Sequence, residues 1–179
     1  MNRDTAAPLK QFAAVLEDFR REGRPVVLRV HSPYPIEEIR SVLGPLADAV
    51  YAGSVAYEDL PSAFRAADGL LLPLDFTPGT IKYIRLSLLT KATEYMISGT
   101  PIFLFAPEGL ATTEYLLAHD AAFHCGNPDG LKAAIATFMD DPDTRARIGS
   151  NALRRAREAH LIQDVNERMR QALNGKPMR

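Results

Sequence analysis

The most constraining feature of the chain is a helix-like segment that leads directly into an apolar run, from Ser87 to Phe105. The spacing of its apolar residues predicts a helix, and Gly99 stands where a left-handed residue commonly ends one. The run Ile102–Phe105 has the length and composition of a buried strand. We predict that Ser87 caps this helix, because its hydroxyl could accept a bond from an unpaired N–H of the first turn.

One face of the predicted helix is polar. Ser87, Thr90, Lys91 and Glu94 follow the i, i+3, i+4, i+7 spacing that places side chains on one face. The start of a helix suits a phosphate, because its N–H groups are unpaired and the macrodipole is positive there. A carboxylate further along could accept bonds from two vicinal hydroxyls. The pattern therefore outlines a nucleotide site, and an ordinary solvated helix face remains the alternative.

Strand-like and helix-like patterns alternate along the chain. The predicted strands are 26–30, 49–52, 69–72, 102–105 and 121–124. This alternation indicates βαβ units, hence a parallel sheet with right-handed crossovers and helices on both faces. We predict a single α/β domain over residues 1–179, with a Rossmann-like sheet of about five strands and a helical tail from residue 150 to 179. No strand-like run precedes Leu9, which leaves open whether the first, central strand is missing.

Composition narrows the compartment and the partners. Cys125 is the only cysteine, no apolar run has the roughly 20 residues of a membrane helix, and the first residues lack a signal-peptide pattern. We therefore expect a cytoplasmic protein. From Arg145 onward, the sequence has nine basic residues and only three acidic ones. We interpret this tail as a solvated helix face, with weak contact to the inner face of an anionic membrane as the alternative, and expect no nucleic-acid partner.

Five stretches in a fixed order carry a resemblance to a known family. They are V-Y-A-G-S-V, Y-E-D-L-P-S-A-F-R-A-A-D-G-L-L-L-P, the segment from Ser87 to Phe105, A-P-E-G-L and D-D-P-D-T-R-A-R-I-G-S-N-A. Together they resemble the C-terminal, donor-binding half of a GT-B-type glycosyltransferase, of the retaining group 1 or family 4-like kind that uses nucleotide sugars. The match covers about 120 residues.

The resemblance implies roles for individual residues. Glu94 matches the glutamate that holds the ribose hydroxyls of the donor. Ser87 and Thr90 match the helix start that receives the diphosphate, and Lys91 matches a basic or polar position beside it. The loop residues Gly53, Ser54 and Val55 match a turn that borders the base.

Two loops add further candidates on the basis of their own residues. The longer loop from Leu74 to Leu86 carries basic side chains, including Arg85, at the expected carboxyl ends of the strands. Glu108, followed by Gly109, could approach a sugar hydroxyl, although a turn residue is the preferred interpretation.

The resemblance also implies a reaction and its requirements. It implies transfer of a sugar, as by a hexosyltransferase, from a nucleoside diphosphate donor, with UDP favoured over GDP, and no cofactor beyond this substrate. The histidines and Cys125 lack the spacing of a tetrahedral metal site, and the sequence indicates no catalytic residue. Because transfer needs donor and acceptor held together, we expect no activity from this half alone.

Two explanations of the missing acceptor-binding half stay open. The chain is either a truncated domain or the partner of a separate, N-terminal acceptor-binding domain. A non-catalytic module that binds a nucleotide, a sugar or a protein partner is the alternative function.

Overall fold

The computed structural model describes residues 5–173, in which helices flank a parallel sheet. Two single 3₁₀ turns, Tyr57–Asp59 and Pro128–Gly130, each lead directly into an α-helix. In chain order the elements are α1 (Ala6–Arg21), α2 (Ile36–Leu43), α3 (Leu46–Val50), α4 (Leu60–Arg65), β1 (Leu70–Pro73), α5 (Pro78–Ile84), α6 (Thr90–Ser98), β2 (Ile102–Phe105), α7 (Ala111–Ala118), β3 (Phe123–Cys125), α8 (Leu131–Asp140), α9 (Pro142–Ala159) and α10 (Ile162–Leu173).

The strand β2 lies at the centre of the sheet, between β1 and β3. Leu70 is in register with Ile102 on one side, and Phe103 is in register with Phe123 on the other. All four residues of β2 are buried. A strand reads as uniformly apolar when helices cover both faces of a parallel sheet, which explains the unbroken run in the sequence.

Two hydrophobic clusters cover the two faces of the sheet. On one face, Leu72 and Leu104 pack with Met96 of α6 and Ala152 of α9. On the other face, Phe103 and Phe105 pack in a cluster that also contains residues of α1 and α8. The predicted α/β class with a Rossmann-like sheet is therefore confirmed.

The number of strands differs from the prediction. The sheet has three strands rather than about five, because the segments 26–30 and 49–52 form only a single parallel bridge, from Val30 to Tyr51. The residues before Tyr51 belong to α3 instead. A β-ladder requires several consecutive residues to bond a neighbouring strand. In the segment 26–30, only Val30 has such backbone bonds to another described residue. The last predicted strand also moves slightly, from 121–124 to Phe123–Cys125.

The end of α9 and the whole of α10 form the described part of the predicted helical tail. Asp141 caps α9 by accepting a bond from the Thr144 N–H at 2.9 Å, and the chain breaks between α9 and α10 at His160. Four arginines of this region have acidic partners, which favours a solvated face; they are Arg147, Arg154, Arg155 and Arg170. Among the described residues, no helix combines the length and apolar character needed to cross a membrane. The tail beyond Leu173 lies outside the described residues.

Two glycines allow α6 and α9 to meet closely. Gly99 ends α6 with a φ of 74°, which is the left-handed conformation expected from the sequence. Gly149 of α9 lies against it, since a Cβ built on Gly149 would be 2.4 Å from the carbonyl oxygen of Gly99. A side chain at position 149 therefore cannot fit unless one of the two backbones moves.

Replacing Gly149 by alanine should destabilise the fold. We expect Gly149→Ala to lower the free energy of unfolding by about 1–3 kcal/mol, the usual cost of overpacking, despite the better helix propensity of alanine. Urea denaturation provides the measurement. The control is Gly79→Ala in α5, where an added methyl group meets nothing within 4 Å and stability should be unchanged or slightly higher. Equal effects of the two substitutions would contradict the close approach.

Tyr95 of α6 should make the fold sensitive to alkaline pH. Burial, with a smaller contribution from the charge of Glu94, raises the pKa of Tyr95 from 10.0 to about 12. Because the pKa is higher in the folded state, the contribution of Tyr95 to the free energy of unfolding is fully present below pH 10. It is lost as the pH rises toward 12. We expect Tyr95→Phe to flatten this part of the stability curve, measured by urea denaturation in steps of pH. Tyr83→Phe, at a tyrosine that is 85% exposed, should leave the curve unchanged.

Candidate functional site

The candidate site lies at the carboxyl edge of the sheet. Three segments leave the strands there: residues 74–89 after β1, 106–110 after β2 and 126–130 after β3. The first of them is not a simple loop, because α5 occupies its middle. In parallel α/β sheets, ligands bind outside the carboxyl ends of the strands.

The helix α6 starts two residues later than the sequence predicts. Its cap position is Leu89, in an extended conformation and without a side-chain cap, so the prediction that Ser87 caps the helix is wrong. The reason is tertiary: Thr112 of α7 accepts a bond from the Leu89 N–H at 3.1 Å. Ser87 nevertheless stays beside the helix start, since its carbonyl accepts a bond from the Thr112 hydroxyl at 2.9 Å.

The first turn of α6 presents unpaired backbone donors. The Ala92 N–H donates to the Leu89 carbonyl at 3.0 Å, whereas the N–H groups of Thr90 and Lys91 have no bond within residues 5–173. Both of these residues are exposed. Two open N–H groups at the positive end of the macrodipole suit an anion.

Charged side chains near this turn also lack partners. Lys91 and Glu94 are exposed on α6, and Arg85 is exposed just before it. None of the three side chains makes an ion pair or hydrogen bond with another described residue. These three side chains are therefore available to contact a ligand. That Thr90, Lys91, Glu94 and Arg85 bind a nucleotide sugar stays a prediction.

The start of α7 ties the loops of the site together. The Ala111 N–H donates to the Arg85 carbonyl at 2.8 Å, and Thr112 bonds both Ser87 and Leu89 as described above. Thr113 donates its hydroxyl to the Pro107 carbonyl at 2.9 Å. Both threonines are fully buried. Sequence reasoning missed them, because a Thr-Thr pair at a helix start resembles any ordinary first turn.

The loop after β2 holds two of the predicted residues. Glu108 and Gly109 are exposed, and the Gly109 N–H donates to the Glu114 carboxylate of α7 at 3.2 Å. The side chain of Glu108 lies near the end of β3, since a Cβ built on Gly126 would be 3.6 Å from its Cγ. His124 beside them contacts the Ala106 carbonyl through Nε2 at 2.8 Å, in agreement with a structural histidine.

The predicted base-binding loop is hydrogen-bonded to the segment that follows Val30 and not to α6. Gly53 has a φ of 81°, and its carbonyl accepts a bond from the Ser32 N–H at 3.1 Å. Ser54 is exposed and Val55 is half-buried. No hydrogen bond within residues 5–173 links these three residues to α6, so their part in the site stays a prediction.

Asp75, which the sequence did not single out, organises the segment after β1. Its carboxylate accepts bonds from the hydroxyls of Thr77 at 2.6 Å and Thr80 at 3.1 Å. Partial burial acts to raise the pKa of Asp75, but these hydrogen bonds outweigh it and lower the pKa below its ordinary value. The Asp75 carboxylate therefore holds the start of α5 in place.

Within residues 5–173, no three histidine, cysteine, aspartate or glutamate side chains lie together in a way that could hold a metal ion.

Removing the Thr112 hydroxyl should loosen the site and cost stability. Thr112→Val leaves the Leu89 N–H and the Ser87 carbonyl without their partner in a partly buried place, so we expect the free energy of unfolding to fall by about 1–3 kcal/mol. Thr137→Val is the matched control, because the Thr137 hydroxyl bonds an exposed carbonyl of its own helix at 3.1 Å. Its effect should stay within about 0.5 kcal/mol in urea denaturation. Similar losses for both variants would show that Thr112 does not tie the two segments.

Comparison with known protein families identifies the family of this chain. A family model described as glycosyl transferase-like matches residues 10–174, which is nearly the whole chain. No curated protein matches the chain. The matched range includes all three strands of the sheet and the exposed, unpaired charges at the start of α6. The chain thus belongs to the glycosyl transferase-like family.

Proposed function

We propose that this chain is the nucleotide-sugar-binding half of a GT-B-type glycosyltransferase and that its donor lies at the start of α6. The observation that carries the proposal is the group of exposed charges there, Arg85, Lys91 and Glu94, which lack partners among the described residues. Membership of a glycosyl transferase-like family supports a sugar donor as the ligand of these charges. We favour a UDP-linked hexose as the donor.

The diphosphate binds the first turn of α6 in this proposal. The open N–H groups of Thr90 and Lys91 are its backbone donors, and the ammonium of Lys91 and the guanidinium of Arg85 are its countercharges. The leaving nucleoside diphosphate gains negative charge as the glycosidic bond breaks. Fixed dipoles and cations stabilise that charge without having to reorient during the reaction.

The ribose lies one turn further along the helix. Glu94 follows Thr90 by four residues, which corresponds to about 6 Å along the axis. An ionised carboxylate has two acceptor oxygens and can take a hydrogen bond from each of two vicinal hydroxyls. Glu108 and Gly109 then border the sugar, and the loop of Gly53, Ser54 and Val55 borders the base.

Transfer requires a second surface for the acceptor. Proximity contributes to the rate only when both reactants are held in one geometry, and the proposed donor group occupies an open edge of the sheet. We propose that the chain transfers sugar only together with an acceptor-binding domain and is inactive alone. A non-catalytic nucleotide-binding module would use the same edge, but no added domain would give it transferase activity.

Binding of UDP and UDP-glucose to variants of α6 tests the proposal. We expect Glu94→Gln to weaken binding of both by about 1–3 kcal/mol, because the diol loses its charged acceptor. Lys91→Ala should weaken binding through the diphosphate, and the loss should shrink as salt is added. Isothermal titration calorimetry provides the measurement.

Controls separate the site from a general effect of charge. Glu17→Gln on α1 and Lys132→Ala on α8 remove exposed charges of the same sign elsewhere on the chain. Both should bind UDP like the unmodified chain. Uridine, which has the ribose but no phosphate, should respond to Glu94→Gln and not to Lys91→Ala. Unaltered UDP binding by Glu94→Gln would remove Glu94 from the site and contradict the proposed orientation.

A further inference from the structure

A cluster of titratable side chains lies outside the candidate site, at the break between α9 and α10. The Tyr115 hydroxyl of α7 contacts Nε2 of His160 at 2.7 Å, and it accepts a hydrogen bond from Nε of Arg155 at 2.9 Å. The helix α9 ends at His160, and α10 begins two residues later. The cluster therefore attaches the break between the two helices to α7.

The hydrogen bonds of the cluster indicate the protonation state of His160. A guanidinium group has only donors, so the Tyr115 oxygen is the acceptor of the bond from Arg155. The arrangement that satisfies every donor then directs the single phenolic hydrogen to His160, whose Nε2 accepts it. In this arrangement the imidazole is neutral and carries its own hydrogen on Nδ1.

A proton added to Nε2 would oppose this arrangement. A protonated Nε2 cannot accept a hydrogen bond, so the phenolic hydrogen of Tyr115 would lose its acceptor. A second cation would also face the oxygen that already bonds Arg155, whose guanidinium carbon lies 5.5 Å from the centre of the Tyr115 ring. Like charges at such short range repel each other. Protonation of His160 therefore weakens its contact with Tyr115.

The other titratable groups near His160 act on it in a different way. Glu158 of α9 and Asp164 of α10 are close to it in sequence, and they favour a positive charge there, as does the C-terminus of α9. They act whether or not His160 contacts α7. His119 of α7 packs against the Tyr115 ring, with centroids 4.9 Å apart. The bond to the Tyr115 hydroxyl exists only while the contact is made, so this bond couples protonation to attachment.

The helix α10 has little packing of its own. Val165, Met169 and Leu173 follow one another at intervals of four residues and are 42%, 63% and 81% exposed. The helix has 12 residues, and helices of about this length are marginal in water on their own. In its first turn, the Val165 N–H donates to the Leu161 carbonyl at 3.0 Å. The order of this turn therefore depends on how the break before it is attached.

We propose that the Tyr115–His160 contact is a pH-sensitive attachment, which holds the start of α10 while His160 is neutral and releases it when His160 is protonated. The release requires one proton from solvent, taken up by Nε2, and no other reactant. Histidine is the side chain that ordinarily titrates between about pH 5 and 8. Tyr115 follows Thr112 by three residues on α7, so α10 begins beside the segments that Thr112 holds.

Amide hydrogen exchange of the full, ¹⁵N-labelled chain tests the proposal. Protection of the Val165 amide, corrected for the intrinsic effect of pH on exchange, should fall about tenfold from about pH 7.5 to about pH 5, as expected for the loss of one hydrogen bond. The ring signals of His160 should titrate with the same midpoint. The Arg145 amide, which bonds the Asp141 carbonyl at the other end of α9, should keep its protection and so report that the fold is intact.

Two variants should remove the pH dependence in opposite ways. Tyr115→Phe lacks only the hydroxyl, so the Val165 amide should be poorly protected at both pH values. His160→Gln keeps an acceptor for the hydroxyl but cannot be protonated, so the same amide should stay protected at both. His119→Gln is the matched control, because His119 contacts the ring of Tyr115, and this variant should keep the pH dependence of the unmodified chain.

Several results would overturn the proposal. One is protection of the Val165 amide that stays the same or rises at about pH 5 while the Arg145 amide is unchanged. Another is a fall in protection that persists in His160→Gln or in Tyr115→Phe. If circular dichroism shows that Tyr115→Phe does not fold, the pH profile of His160→Gln decides. Nucleotide binding is not read in this experiment, so the loss or retention of UDP binding does not alter its interpretation.

Discussion

The burial of β2 on both faces is the constraint on which the rest of the structure depends. Four consecutive apolar residues can avoid water only if helices cover both sides of the sheet, and their backbone groups require a neighbour on each edge. The pair α6 and α9 covers one face, while α1 and α8 cover the other. Parallel neighbours then direct every strand end to the same edge, where the candidate site lies.

Two buried threonines convert that edge into a site of defined shape. Thr112 and Thr113 hold the segments that leave β1 and β2, so the start of α6 and the loop of Glu108 have fixed positions relative to the sheet. The charged groups nearby are not used in this way. Arg85, Lys91 and Glu94 remain exposed without a partner among the described residues, which suits groups that bind a ligand rather than the fold.

The sequence by itself determined the class of the fold, the strand Ile102–Phe105 and the stop at Gly99, because these depend on local pattern and on the geometry of parallel sheets. Only the tertiary structure decided where α6 begins, since the partner of the Leu89 N–H comes from Thr112, 23 residues later. It also decided that Val26–Val30 forms no ladder, because strand propensity cannot provide a neighbour. The contact of Gly149 with Gly99 likewise depends on the crossing of two helices, which no local pattern reveals.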